Sequence, residues 1–317
     1  MKHVIITGGA GFIGSHLCDL LLRRGYAVTA IDNLLTGRRS NLSEALSHSD
    51  FYFLKQDICE PIQEKSLPLL SMYGLHGILH FACPASPVDF DRIPFEILKV
   101  DSLGTILTVD LALRFHCRYL LASTSEIYGD PLIHPQNECY WGNVNTIGPR
   151  ACYDETKRFA EAYVSTATRL KQLNGGIARI FNTYGPRMRI DDGRIVPELG
   201  RQAITQQPLT IHGDGKQTRS FCYVSDLVEG VFRLFESSIT EPVNLGNPEE
   251  RSILNFAELL CQISGSKSTI RHLPARIDDP KQRCPDISRA KALFKWSPEV
   301  RLDEGLKESL QYFRTQL

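Results

Sequence analysis

Short apolar runs alternate along the first half of the chain with longer stretches whose apolar residues recur every three or four positions. HVIITGG (3–9), AVTAIDN (27–33), FYFLKQD (51–57), GILHFAC (77–83), YLLAST (119–124) and GIARIF (176–181) read as strands. GFIGSHLCDLLLRRG (11–25) reads as a helix with Ile13, Leu17 and Leu21 on one stripe and Arg23, Arg24 and Gly25 as its stop. Further helices are predicted from Phe95 to Phe115 and from Ala151 to Leu173, the second ended by Asn174-Gly175-Gly176. Strands separated by helices imply parallel βαβ units with right-handed crossovers. After Asn182 the texture changes: Pro186, Pro197, Pro208, Gly213 and Gly215 punctuate shorter elements, including a strand at LTIHG (209–213). The fold expected is α/β, a doubly wound parallel Rossmann sheet with a smaller, interleaved C-terminal substrate domain. Its crevice would lie beyond the carboxyl ends of the strands.

Composition narrows the function. Lys+Arg and Asp+Glu are balanced at 36 each in 317 residues, so no overall positive field draws nucleic acid or an anionic membrane. No stretch approaches the roughly 20 apolar residues of a membrane span. No charged-then-apolar leader precedes the first strand, so a cytoplasmic protein is expected. The nine cysteines include no C-x-x-C pair and the nine histidines are scattered, which points to reduced thiols and no metal site.

Gly8, Gly11 and Gly14 in TGGAGFIG (7–14) join the first strand to the first helix with G-x-x-G-x-x-G spacing. Alone, that pattern is equally a sharp strand-to-helix turn. Its flanking elements, and Asp32 at the end of the second strand where an acid would bond the adenosine ribose, make it a dinucleotide site. Asp32 would repel a 2′-phosphate and so selects NAD over NADP, although Arg38 and Arg39 follow closely. Asp57 is a candidate on the adenine side, or a strand-end turn residue.

Tyr153 and Lys157 lie four apart near the start of a predicted helix and so share one face. A phenol is a poor base at neutral pH, and a neighbouring ammonium together with a positive nicotinamide would stabilise its phenolate. Upstream, LLASTSEIYG (120–129) ends a strand with hydroxyls and a carboxylate, where an open α/β sheet presents its chemistry.

TGGAGFIG, STSEIYG (123–129) and YDETK (153–157) resemble the motifs of the extended short-chain dehydrogenase/reductase family, over nearly the whole chain. The resemblance implies a Thr124–Tyr153–Lys157 triad, in which Tyr153 takes the proton of a sugar hydroxyl while NAD accepts the hydride. It implies cofactor contacts from Phe12, Ile13, Asn33, Thr36, Gly37, Arg38, Asp57 and Ile58, with Lys157 and Tyr153 at the nicotinamide end. Within that family Thr124-Ser125-Glu126 lacks the first acid of the T-D-E segment of 4,6-dehydratases, and simple 4-epimerases usually lack the glutamate. CPASP (83–87), the stretch 134–155, RIFNTYGPRM (179–188), VNLGNPEE (243–250) and DDPKQRCPDI (278–287) are similar to the UDP-glucuronate decarboxylases.

That likeness implies oxidation at C4, loss of C6 as carbon dioxide and re-reduction to UDP-xylose. Glu126 would position the sugar ring or a water. Asn182 would contact the substrate, Lys99 and Arg283 would meet its anionic groups, and Arg219 would grip its diphosphate. Arg187 and Arg194 are further candidates, or structural ion pairs. Two positions depart from the group's pattern: Phe90 stands where a Tyr is common, and Asp101 where an Asn is common. A UDP-sugar 4-epimerase, a decarboxylase releasing a 4-keto pentose, and a non-catalytic NAD-binding scaffold are the alternatives. The expected division is residues 1–180 as the NAD domain, with 216–245 returning to it, and 181–215 with 246–317 as the UDP-sugar domain. The last two predicted helices would form a four-helix homodimer interface by the same resemblance.

Overall fold

The computed structural model describes residues 1–275 and 280–317. Strand β1 spans His3–Thr7, followed by helix α1 (Phe12–Arg23), β2 (Ala27–Asp32), β3 (Phe51–Lys55), α2 (Pro68–Tyr73) and β4 (Gly77–His80). Then come α3 (Pro87–Arg92), α4 (Pro94–Lys99), α5 (Thr105–Arg114), β5 (Arg118–Thr124), α6 (Ala151–Lys171) and β6 (Gly175–Ile180), with α7 (Ile195–Ile204) further on. These six strands and Pro242–Leu245 form one seven-stranded sheet in the order Pro242–Leu245, β6, β5, β4, β1, β2, β3. Every adjacent pair is parallel. The strand order reverses between β1 and β4, and a crevice opens beyond their carboxyl ends.

Alternation along the strands assigns the two faces. Val4 and Ile6 of β1 join Val28, Ala30 and Leu79 against α1 and α8 (Val224–Glu236), where Leu17, Leu21, Val231 and Leu234 are buried. Ile5, Ile78, Leu121 and Ile177 point the other way, onto Val109 and Ala112 of α5 and Ala160, Val164 and Ala167 of α6. Both faces are covered, which is why the strands are continuous apolar runs. Each fully buried Ile or Leu contributes roughly 1.5–3 kcal/mol. At the start of β5, buried Arg118 donates to the carbonyls of Leu234 (3.2 Å) and Phe235 (3.3 Å) at the end of α8, and of Ile239 (2.7 Å) beyond it. A cation there suits the negative end of the helix and fixes α8 against the sheet.

The later residues build smaller sheets. Glu250–Ser252, Thr218–Ser220 and Gln282–Arg283 pair as one, and Ile270–Leu273 pairs with Leu209–His212 as another. Thr218–Ser220 thus pairs with C-terminal strands, whereas α8 and Pro242–Leu245 pack on the large sheet.

The single helix predicted from Phe95 to Phe115 is instead α4 and α5 joined by a π turn at Val100–Gly104. The π turn inserts a residue into the helical repeat, and Asp101 becomes fully buried.

Candidate active site

One cavity of about 330 Å³ runs from the glycine loop to the smaller sheets. It is lined by Gly8, Gly11, Phe12, Ile13, Gly14, Thr36, Thr124, Glu126, Tyr153, Lys157, Asn182, Arg187, Arg194 and Arg219. These residues are spread from position 8 to position 219 and come from both parts of the fold. Among the candidates, Asp32, Asn33, Gly37, Arg38, Asp57, Ile58, Lys99 and Arg283 do not line it.

The glycine end is built from backbone. Gly8 has φ +69°, and a Cβ there would sit 2.6 Å from the Phe81 carbonyl oxygen. A Cβ on Gly14 would collide with the carbonyl of Gly8. No side chain caps the N-terminus of α1, so its first amides remain open to an anion. Asp32 accepts from the amides of Ala10 (3.0 Å) and Leu34 (2.8 Å), which fixes the loop against the end of β2. Burial raises the Asp32 carboxyl above the ordinary range, and those two amides pull against the rise. A carboxylate has about four acceptor positions, so two remain for ribose hydroxyls. Asn41, which sequence reading missed, holds the same turn by donating to the Ala10 carbonyl (2.9 Å). Further out, Asn33 donates to Asp57 (3.2 Å) and Arg38 reaches Gln316 (3.2 Å). The residues therefore fit a dinucleotide: a cradle that a Cβ would fill, an open helix terminus and an acid at the ribose position.

At the other end, α6 begins at Ala151 and presents Tyr153 and Lys157 one turn apart. The Lys157 Nζ donates to the Ala122 carbonyl (3.0 Å), lies 2.9 Å from Asp101 Oδ1 and stands 5.8 Å from the Tyr153 ring centre. Burial works against the Lys157 charge, and Asp101 more than restores it. Burial also raises the Tyr153 phenol well above its ordinary value; Lys157 and Thr124 pull it down without overcoming that rise. Lys157 alone therefore does not make Tyr153 a base near neutrality. Phe90 is stacked on Tyr153, with ring centres 5.1 Å apart and planes at 19°. The departure at 90 thus falls directly against the phenol.

Glu126 lies in the short turn Ser125–Tyr128 after β5, and the Thr124 hydroxyl accepts from its amide (3.2 Å). Its carboxylate meets Arg150 (2.5 Å) and Arg283 (3.4 Å). Burial would raise the Glu126 carboxyl, but Arg283, Arg150 and Arg219 outweigh it and hold it down to about 2. The neighbouring Asp154 is pushed the opposite way, up to about 7, by burial and by the charge of Glu126. Of this acidic pair, Glu126 loses its proton readily and Asp154 holds its proton to much higher pH. Arg150 is the functional candidate that sequence reading missed; its place immediately before the helix bearing Tyr153 and four residues from Asp154 was the available signal.

The other predicted cations are already engaged. Arg283, 1 % exposed, donates to the carbonyls of Ser125 and Gly129, so it clamps the Glu126 turn from behind the cavity wall. Arg187 pairs with Asp19 of α1 (2.6 Å) and Arg194 with Asp192 (2.9 Å). Arg219 lines the cavity and donates to the Thr218 carbonyl (2.8 Å). Lys99 is exposed on α4, where its charge is felt by Asp57 at the glycine end. In the DDPKQRCPDI segment, Asp278 and Asp279 lie outside the described residues. No group of three or more metal-ligating side chains occurs among the described residues, and none of their helices is long and apolar enough to cross a membrane.

The model of the GDP-mannose 4,6 dehydratase family matches residues 5–309. The chain is 48% identical over 316 residues to UDP-glucuronic acid decarboxylase 1 of Danio rerio, covering 100% of this chain and 73% of that protein. It is also 48% identical over 314 residues to UDP-glucuronic acid decarboxylase 1 of Arabidopsis thaliana, covering 99% and 70%. Among solved structures, it is similar to the UDP-glucuronic acid 4-epimerase of Bacillus cereus in complex with UDP-glucuronic acid and NAD. That match has a TM-score of 0.89 at 29% identity over 100% of both chains. The dTDP-glucose 4,6-dehydratase of Bacillus anthracis, in complex with NAD, matches with a TM-score of 0.86 at 23% identity, covering 99% and 97%.

Proposed function

The chain belongs to the GDP-mannose 4,6-dehydratase family of extended short-chain dehydrogenases, and from that premise we propose that it is an NAD-dependent UDP-glucuronate decarboxylase producing UDP-xylose. The observation that carries the reading is the Thr124-Ser125-Glu126 corner set beside Tyr153, with Glu126 held as an anion by Arg150 and Arg283. Ser125 stands where a dehydratase has its acid and cannot supply the proton that expels a hydroxyl, which weighs against dehydration.

The glycine loop, the open end of α1 and Asp32 would hold the dinucleotide, with Lys157 at its nicotinamide ribose. Bound NAD supplies the hydride acceptor for the oxidation and the donor for the re-reduction. Thr124 and Tyr153 hold the C4 hydroxyl, and Tyr153 removes its proton as C4 becomes a ketone. The sugar is then a β-keto acid. Its C5–C6 bond breaks, the electron pair passes into the C4 carbonyl, and carbon dioxide leaves. Glu126 accepts hydrogen bonds from the sugar or from the water that protonates C5. Tyr153 returns its proton to the C4 oxygen at re-reduction, and the residues lining the cavity keep the keto intermediate in place. Asn182 and Arg219 are assigned to the sugar nucleotide, with Arg187 and Arg194 holding the cavity wall through their carboxylate partners.

In this reading residues 1–180 with 216–245 serve the dinucleotide, apart from the Thr218–Ser220 strand and its Arg219, which join 181–215 and 246–317 in serving the sugar nucleotide. The return of α8 and Pro242–Leu245 to the large sheet supports that division. A homodimer through α4, α5 and α6 is supported by Phe95, Leu98 and Phe159, which those helices leave exposed. Nine cysteines free of disulfides suit the reducing cytoplasm.

One incubation tests the function: the purified protein with UDP-glucuronate and NAD, followed by carbon dioxide, NADH absorbance and sugar product. Carbon dioxide without net NADH is expected. Stoichiometric NADH would mean release of the keto sugar, UDP-galacturonate alone an epimerase, and no turnover of any UDP-sugar a scaffold.

A further inference from the structure

The pair that performs the proton transfer is not isolated. Asp101, in the π turn between α4 and α5, is fully buried and pairs with Lys157. One carboxylate oxygen lies 2.9 Å from Lys157 Nζ. The other accepts from the Cys83 thiol (3.0 Å) and the Thr156 hydroxyl (3.4 Å). An amide at this position would offer Lys157 one neutral acceptor; the carboxylate adds a full negative charge beside both Lys157 and Tyr153.

We infer that Asp101 is a positioning residue for the Tyr153–Lys157 pair: its carboxylate fixes the ammonium and withholds part of that charge from the phenol. The inference rests on the reading of Tyr153 as the base. Lys157 can stabilise a phenolate only with charge that is not already compensated, and a carboxylate 2.9 Å away inside the protein compensates most of it. A fixed anion raises the proton affinity of every group around it, so the pair gives up its working proton at higher pH than it would beside an amide. The positive charge that completes the base must then come from the bound dinucleotide, which ties proton transfer to cofactor occupancy.

The other groups facing the pair do not cancel this effect. Burial pushes His80, at the end of β4, down to about 3, so it is neutral. Burial likewise raises Cys83, Cys152 and Tyr119, which remain protonated. Arg194, on the segment across the cavity, is paired with Asp192. Among the charged groups Lys157 and Asp101 act most on Tyr153; Arg194 is compensated by Asp192, and Glu126 in the same cavity by Arg150 and Arg283.

The test is the pH profile of kcat and kcat/KM for the full-length NAD-loaded enzyme with UDP-glucuronate, wild type against Asp101→Asn. The acid limb is expected to move down by about one pH unit or more in the variant, the size of shift a single adjacent charge produces. A variant that loses activity at every pH with its limb unmoved would overturn the inference, because that is what a purely structural role predicts. Cys83→Ala removes a hydrogen bond that spreads the carboxylate charge, so its limb should move upward. This second variant decides the matter should Asp101→Asn fail to fold, and an unmoved limb there counts against the inference. If the wild type releases no carbon dioxide from UDP-glucuronate, the functional reading fails separately. The tyrosinate absorbance of the NAD complex, taken as the difference from Tyr153→Phe, then decides for Asp101. An earlier onset in Asp101→Asn supports the inference; the same onset, or none in either protein, refutes it.

Discussion

The two ends of the cavity are made of different materials. The glycine end uses backbone: two positions without side chains, one helix terminus and an aspartate whose oxygens hold main-chain amides. The sugar end uses side-chain charge, with Glu126 between Arg150 and Arg283, Lys157 on Asp101, and Arg194 on Asp192. Backbone recognition is insensitive to pH and intolerant of added atoms. A network of buried ion pairs responds to every proton gained or lost, because each charge is held by its partner's. One end therefore fails by crowding and the other by a change of charge.

The largest effect belongs to the charged end. Tyr153→Phe should lower kcat by ~10²–10⁴ with UDP-sugar affinity retained, because only the proton transfer is lost; steady-state kinetics with calorimetric binding checks both. Glu126→Gln should slow carbon dioxide release by up to about 10²-fold, the cost of misplacing a reacting group, and weaken UDP-glucuronate binding much less. Equal losses in both would place Glu126 in simple binding. At the backbone end, Gly14→Ala forces a methyl into the Gly8 carbonyl. An overpacking cost of about 1–3 kcal/mol should appear as weaker NAD binding, read by titration, with the pH profile unshifted.

A pH-dependent stability difference separates the ends further. Asp154 has a folded-state value near 7, raised above its ordinary 3.8, so its contribution is present at low pH and is lost as pH rises between those two values. Asp154→Asn should therefore melt increasingly above the wild type from pH 4 to pH 8; a constant difference would show that Asp154 is ionised throughout. The smallest effect is expected at Lys99. Exposed and away from the cavity wall, its replacement by Ala should change KM for UDP-glucuronate by no more than about twofold, the usual scale of a surface substitution.

The same contrast governs what could be read from the chain. The glycine loop, the acid at the end of β2 and the Tyr–Lys spacing are contiguous, so local geometry alone brings them together. The first six strands are legible as apolar runs: five are buried on both faces, and β3 at the sheet edge is half-buried but still apolar and aromatic. The ion pairs were not legible. Arg187, Arg194 and Arg283 were visible as charges, but their partners Asp19, Asp192 and Glu126 follow from how distant elements pack. Asp101 stands out in the sequence only as a departure from the group's pattern, since the apolar period runs through 95–115 without showing the π turn that buries it.

The seventh strand has a consequence for how the molecule is made. Pro242–Leu245 pairs with β6, which the ribosome has finished long before. Until that late segment emerges, one flank of β6 has no hydrogen-bonding neighbour, a template for mispairing with another nascent chain. Truncation before residue 242 should accordingly yield aggregates rather than a free-standing dinucleotide fragment. For the same reason, gene fusion or exchange of halves between relatives cannot be done at a single junction.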